Sequence, residues 1–98
     1  MRLNIKERVL LLSNLPAKGD IILLKLVQKL QQDLAFTEEE IKRYEIQTVG
    51  DKIIWKDDFE KDIEIPEILL TKIKEDLQKK SEDKELTLEW VSLWDKLF

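Results

Sequence analysis

Between Phe36 and Trp55 the sequence FTEEEIKRYEIQTVGDKIIW changes its hydrophobic period from helical to alternating, so any fold must accommodate a helix start and a hairpin turn almost side by side. Thr37 stands three residues before Glu40. Thr37 can therefore cap the free amides of a first helical turn while Glu40 bonds back to the Thr37 amide, and Phe36 with Ile41 supplies the accompanying hydrophobic staple. Glu38, Glu39 and Glu40 place negative charge at the positive end of the helix dipole. From Tyr44 the pattern alternates, which keeps this helix short. Tyr44, Ile46 and Thr48 share one face, and Gly50-Asp51 fits a two-residue turn of type I′ or II′. In that register Thr48 opposes Ile53 and Ile46 opposes Trp55, so Tyr44, Ile46, Ile53 and Trp55 are expected in the core. Glu45, Gln47, Lys52 and Lys56 take the other, wetter face.

Upstream, Asn4 with Glu7 forms a second capping-box pattern, and Ile5, Val9 and Leu12 fall on one side of the helix that follows. Pro16 and Gly19 break the chain before Asp20, a good N-cap. Leu23, Leu26, Val27, Leu30 and Leu34 then recur at three- and four-residue steps, with Lys25, Gln28, Lys29 and Gln32 facing out. The short connection predicts two antiparallel helices. Downstream of the hairpin, Asp58, Glu60, Asp62 and Glu64 alternate with Phe59, Lys61, Ile63 and Ile65, the pattern of a third strand with an acidic, edge-protecting face. Such alternation also resembles a calcium loop, but the central Gly and the bidentate Glu are missing. Pro66 suits the first turn of a further helix with Leu69, Leu70, Ile73 and Leu77 inward. Thr87 is the expected cap of a last helix carrying Trp90, Val91, Leu93, Trp94, Leu97 and Phe98.

These elements predict one α+β domain over residues 1–98. It comprises an N-terminal helical hairpin, a short third helix, a three-stranded antiparallel meander and two C-terminal helices packed on the meander's apolar face. With 98 residues and 43% hydrophobic content, the chain has enough material for a single core. No segment approaches the roughly 18 apolar residues of a membrane span, and the run Val9–Leu12 is too short for a signal peptide, so a soluble cytoplasmic protein is expected.

The sequence has no cysteine and no histidine. Thiolate chemistry and disulfides are thereby excluded, as are the commonest general base and transition-metal ligand. Asp57 and Asp58 are adjacent, which in a strand points them to opposite faces, and Gly19 and Gly50 stand alone without a phosphate loop. No catalytic, cofactor-binding or metal site is expected.

Binding remains. Three helices followed by a hairpin also match the order of a winged helix-turn-helix, with the helix after Thr37 entering the major groove. Its leading residues are Glu38, Glu39 and Glu40, which oppose phosphate. Arg2, Lys6, Arg8, Lys25 and Lys29 form the candidate basic patch: residues 1–34 hold six basic and three acidic side chains, against nine and fourteen in residues 50–98. An acidic inhibitor that mimics DNA is a further reading of the alternating acids. The C-terminal segment makes the stronger case. Trp90, Leu93, Trp94, Leu97 and Phe98 either close the core or form a protein interface, including one between copies of the chain in a homo-oligomer.

The runs IKERVLLLSNLPAKGD and LLKLVQKLQQDLAFTEEEIK, the IIW strand and the closing ELTLEWVSLWDKL resemble a family of small uncharacterised proteins encoded by phages and prophages. The resemblance spans most of the chain and carries no catalytic residue. It implies a phage accessory protein in the host cytoplasm, either an assembly component or a binder of a host target.

Overall fold

In the computed structural model, which describes all residues Met1–Phe98, helices dominate and two small antiparallel ladders flank them. The order is β1 (Arg2–Leu3), α1 (Ile5–Leu12), α2 (Ile21–Leu34), α3 (Glu38–Arg43), β2 (Gln47–Val49), β3 (Lys52–Ile54), β4 (Lys61–Asp62), α4 (Glu67–Glu82), a 3-10 turn (Leu88–Trp90) and α5 (Val91–Leu97). The class is α+β.

The starts of α1, α2 and α3 follow their caps, whereas Thr87, the expected cap of the last helix, makes no capping bond. Asn4 accepts from the Glu7 amide at 2.8 Å while the Glu7 carboxylate takes the Asn4 amide at 2.9 Å. Thr37 and Glu40 make the same reciprocal pair at the head of α3, and Asp20 accepts from the Leu23 amide. Helix ends are governed differently. The amide of Ile46 bonds to the Ile41 carbonyl, with Glu45 at φ 50° between them; Glu85 bonds back to Lys80, with Lys84 at φ 58°. Both are Schellman closures with a charged residue where glycine is usual.

The hairpin forms in the expected register, Gln47 opposite Ile54, Thr48 opposite Ile53 and Val49 opposite Lys52. Gly50 takes φ 61° and Asp51 has no positive φ, the pattern of a type II′ turn. Of the four residues expected in the core, Ile46 is buried, while Tyr44, Ile53 and Trp55 are partly covered. Strand β2 begins only at Gln47, because α3's closing turn runs through Tyr44 and Glu45.

The three-stranded meander is not formed. Residues 58–65 leave the hairpin and β4 pairs with β1, Arg2 opposite Asp62 and Leu3 opposite Lys61. Their charges find better partners there. Asp58 accepts from the free amide of Ile5 at the start of α1, and Glu60 receives Lys96 at 2.8 Å. With the third strand gone, the two C-terminal helices do not pack on a sheet face. They join α1 and α2 in one cluster of thirteen buried residues, to which the strands and their borders add Leu3 and Ile63 and the hairpin adds none. On the surface of α4, Asp76 bonds Lys72 and not the Lys80 that helical spacing also offers, and Lys80 reaches Asn14.

Where α1, α2 and α3 meet, Arg8 is fully buried. Its Nε donates to the Leu34 carbonyl at 3.2 Å and its Nη2 to the Ala35 carbonyl at 2.9 Å, satisfying acceptors at the end of α2. Nη1 donates to Glu40 at 3.0 Å. The guanidinium lies 4.4 Å from the Phe36 ring centroid and 5.7 Å from that of Phe59, which stacks on Tyr44 at 3.9 Å. Burial by itself would raise the Glu40 carboxyl; the Arg8 hydrogen bond, the Thr37 amide and the charges of Arg8 and Lys61 outweigh it and hold it below the usual glutamate value.

Three outcomes are expected. Replacing Arg8 by Ala leaves Glu40 and two carbonyls without their donor, so denaturant unfolding should show a loss of about 3–5 kcal/mol, and Arg8→Lys should recover little because an ammonium lacks the planar fork. A depressed folded value means that Glu40 contributes its stability above the ordinary carboxyl range and loses it as pH falls through the folded value. The urea midpoint of the wild type should therefore drop on acidification from pH 5 toward pH 3 more steeply than that of Glu40→Gln. Lys84→Gly relieves a left-handed backbone at an exposed, unpaired side chain and should raise stability by about 1 kcal/mol or less, the strain relief being offset by a more flexible unfolded chain.

Candidate protein interface

Helix α5 is apolar on two sides. Trp90, Leu93 and Leu97 are three and four residues apart, and they are 8%, 0% and 4% exposed respectively. These three candidate interface residues belong to the core. Val91, Trp94 and Phe98 repeat the same steps about a quarter-turn away, and they are the ones that meet solvent. Val91 is half exposed and Phe98 is 43% exposed; Leu88, at the head of the 3-10 turn, is 88% exposed. Trp94 is partly covered and stacks on Phe98 with centroids 4.0 Å apart and planes at 19°. The pair presents one continuous aromatic surface.

The surroundings of this stripe are charged on both flanks. Lys74 of α4 brings its ammonium to 5.6 Å from the Phe98 centroid on one side. Helical spacing sets the exposed Asp95 on the other. At the upper end, Ser81, Leu86 and Thr87 with Trp90, Val91 and Trp94 enclose a shallow groove of about 200 Å³. The exposed residues Leu88 and Val91 extend the stripe beyond the five residues expected, and the signal for them was the second three-residue spacing along the same helix.

What holds α5 in place is a lysine. The Lys96 ammonium donates to Glu7 at 2.7 Å, Glu60 at 2.8 Å and the Arg2 carbonyl at 2.9 Å, joining the last helix to α1, to the approach to β4 and to β1. Glu7 is fully buried, and its Oε2 has no hydrogen-bond partner, so Lys96 is the only cation bonded to this carboxylate. Desolvation would lower the Lys96 pKa, but the hydrogen bonds to Glu60 and Glu7 and their charges raise it above the usual lysine value.

The basic candidates do not converge. Arg8 is inside, Lys6 is paired with Glu89 at 2.7 Å, and Arg2 lies 3.9 Å from Glu60. Lys25 and Lys29 are exposed on α2, and Lys29 borders a groove shared with Asp33 and Glu64. At the head of α3, Glu38 and Glu39 face solvent and Glu40 is committed to Arg8. No group of three Asp, Glu, His or Cys side chains is placed to hold a metal ion, and no helix is long and apolar enough to cross a membrane.

A raised lysine pKa means that the Lys96 contribution is complete below the ordinary lysine value and is lost as pH rises through the folded one. Urea midpoints of the wild type should thus fall above about pH 10.5, and Lys96→Met should unfold more readily at neutral pH while losing most of that alkaline dependence. No family model, curated protein or solved structure matches the chain.

Proposed function

We propose that this chain is a small non-catalytic accessory protein of the phage type that acts by protein–protein binding and associates with itself through the outer face of α5. One observation carries the reading: a helix whose inner stripe already completes the core leaves Val91 and Phe98, with Leu88 of the preceding 3-10 turn, turned to water around a half-buried Trp94. Stacked aromatic rings give large contact area at little cost in side-chain freedom, which is why they anchor interfaces.

The occupant is a second copy, and the flanking charges favour it. A two-fold axis running along α5 exchanges the two flanks of the stripe, which sets Lys74 of one copy beside Asp95 of the other around an aromatic centre. Against DNA as the partner stand the carboxylates Glu38 and Glu39 at the head of α3 and the scattering of the basic side chains, since phosphate binding needs several cations on one surface. The same interspersed charge disfavours an extended acidic mimic.

Sedimentation velocity over a wide concentration range tests the proposal. The wild type should pass from monomer to dimer, and Trp94→Ala should weaken dimerisation by about thirtyfold, the effect of losing a central aromatic anchor. Lys74→Asp should weaken it and Lys74→Asp with Asp95→Lys should restore it. A wild type that stays monomeric throughout would sink the self-association reading.

A further inference from the structure

The hairpin β2–β3 is a two-stranded sheet, and the segment expected to extend it has gone to β1 instead. One edge of β3 is therefore left without a neighbour. Its backbone polarity follows from the register. In a two-residue hairpin the residues flanking the loop exchange both ladder bonds, here Val49 with Lys52, and the bonding pairs alternate, so Gln47 and Ile54 exchange theirs as well. Ile53 then turns its N–H and C=O away from β2, and the same alternation turns those of Trp55 outward. No hydrogen bond outside the ladder reaches residues 51–55.

That edge opens into a groove of about 600 Å³ whose opposite wall is α1. Five consecutive hairpin residues, 51 to 55, line it. A cavity over one face of a strand is lined by alternate residues; lining by consecutive ones marks the strand's edge. Across from them lie Lys6, Val9, Leu10 and Ser13, one flank of α1, and Glu89 closes an end through its bond to Lys6. Ile53 and Trp55 are partly covered on one face of the strand, while Ile54 is half exposed and Lys52 carries no ion pair on the other.

We infer that this groove is a docking site for an extended peptide segment of a partner protein, added antiparallel or parallel to β3 as the third strand of the hairpin sheet. Unpaired N–H and C=O groups at Ile53 and Trp55 give the main-chain bonds, and the two faces of the sheet read alternate side chains. Residues flanking Ile53 and Trp55 meet Val9 and Leu10 and should be apolar. Residues on the opposite face lie beside Lys52, where an acidic side chain fits. A groove of about 600 Å³ walled by α1 is the size of a short peptide strand and too small for a whole second hairpin, which favours a peptide over a second copy. This site is separate from the stripe on α5 and does not depend on it.

The test uses the full chain made by chemical synthesis, with and without a methyl group on the Ile53 backbone nitrogen, and a displayed library of random linear peptides as probe. Selection on the unmodified protein should enrich peptides with alternating apolar residues. Synthetic copies of them should slow hydrogen exchange at the Ile53 and Trp55 amides. N-methylation at Ile53 leaves both ladder bonds and the side chain intact, so circular dichroism should be unchanged while affinity falls about tenfold, the value of one main-chain bond. Trp94→Ala should leave peptide affinity unaltered. If methylation itself disturbs the fold, exchange protection in the unmodified protein decides alone. No enrichment, bound peptides that leave those two amides unprotected, or methylation that dissolves a dimer without touching peptide affinity would each overturn the proposal, the last by assigning the edge to a second copy.

Discussion

Everything in the first half of the chain turns on how a guanidinium is kept out of water. Arg8 is fully buried, and a charge in that position is tolerable only if every donor has an acceptor and a counter-charge lies close. The acceptors are the carbonyls of Leu34 and Ala35 at the end of α2, and the counter-charge is Glu40 at the start of α3. Each of those groups needs a partner for its own reasons: helix ends leave carbonyls free, and a capping glutamate concentrates negative charge. One side chain settles three local needs and so fixes how α1, α2 and α3 meet. Phe36 and Phe59 close above the guanidinium, which ties the chain beyond the hairpin to the same point.

The second half is fixed by the complementary arrangement, a buried carboxylate held by a lysine from a distant helix. Glu7 neighbours Arg8 in sequence but is served by Lys96. The adjacent positions on α1 thus carry opposite charges into two different junctions, one toward α3 and one toward α5. Asp58 joins the N-terminal end of α1 and Glu60 joins Lys96 of α5, and this recruitment draws β4 away from the hairpin. The exposed edge of β3 and the doubly apolar α5 are both consequences of that choice: the first lost its neighbour, and the second packs on helices along one stripe and leaves another free.

The sequence was legible wherever a structural device lies within a few residues. The caps at Asn4, Asp20 and Thr37, the hairpin register and the inward stripes of α2 and α4 all have such local grammar. The end of α3 was not legible, because Glu45 rather than glycine occupies the left-handed closing position. Nor were the strand pairings of residues 58–65, since alternation specifies a strand and not its neighbour. Arg8 looked like a surface cation among others; its partners are 26 to 32 residues away. For the candidate interface, the aromatic surplus on the last helix was visible, but its division into a core stripe and an outer stripe depended on which side meets the common core.

Lys96 also sets the order of events while the chain is being made. Its bonds reach back 89 positions to Glu7 and 94 to the Arg2 carbonyl, and Leu93 and Leu97 beside it complete the cluster that begins with Leu3. At about 5–20 residues per second, synthesis takes several seconds to deliver that helix. Throughout this interval Glu7 lacks its cation, and the apolar side of α1 lacks part of its cover. The emerging chain can form capped helices one after another, but the compact state awaits α5. A chain arranged in this way reaches its compact state only after α5 has been delivered.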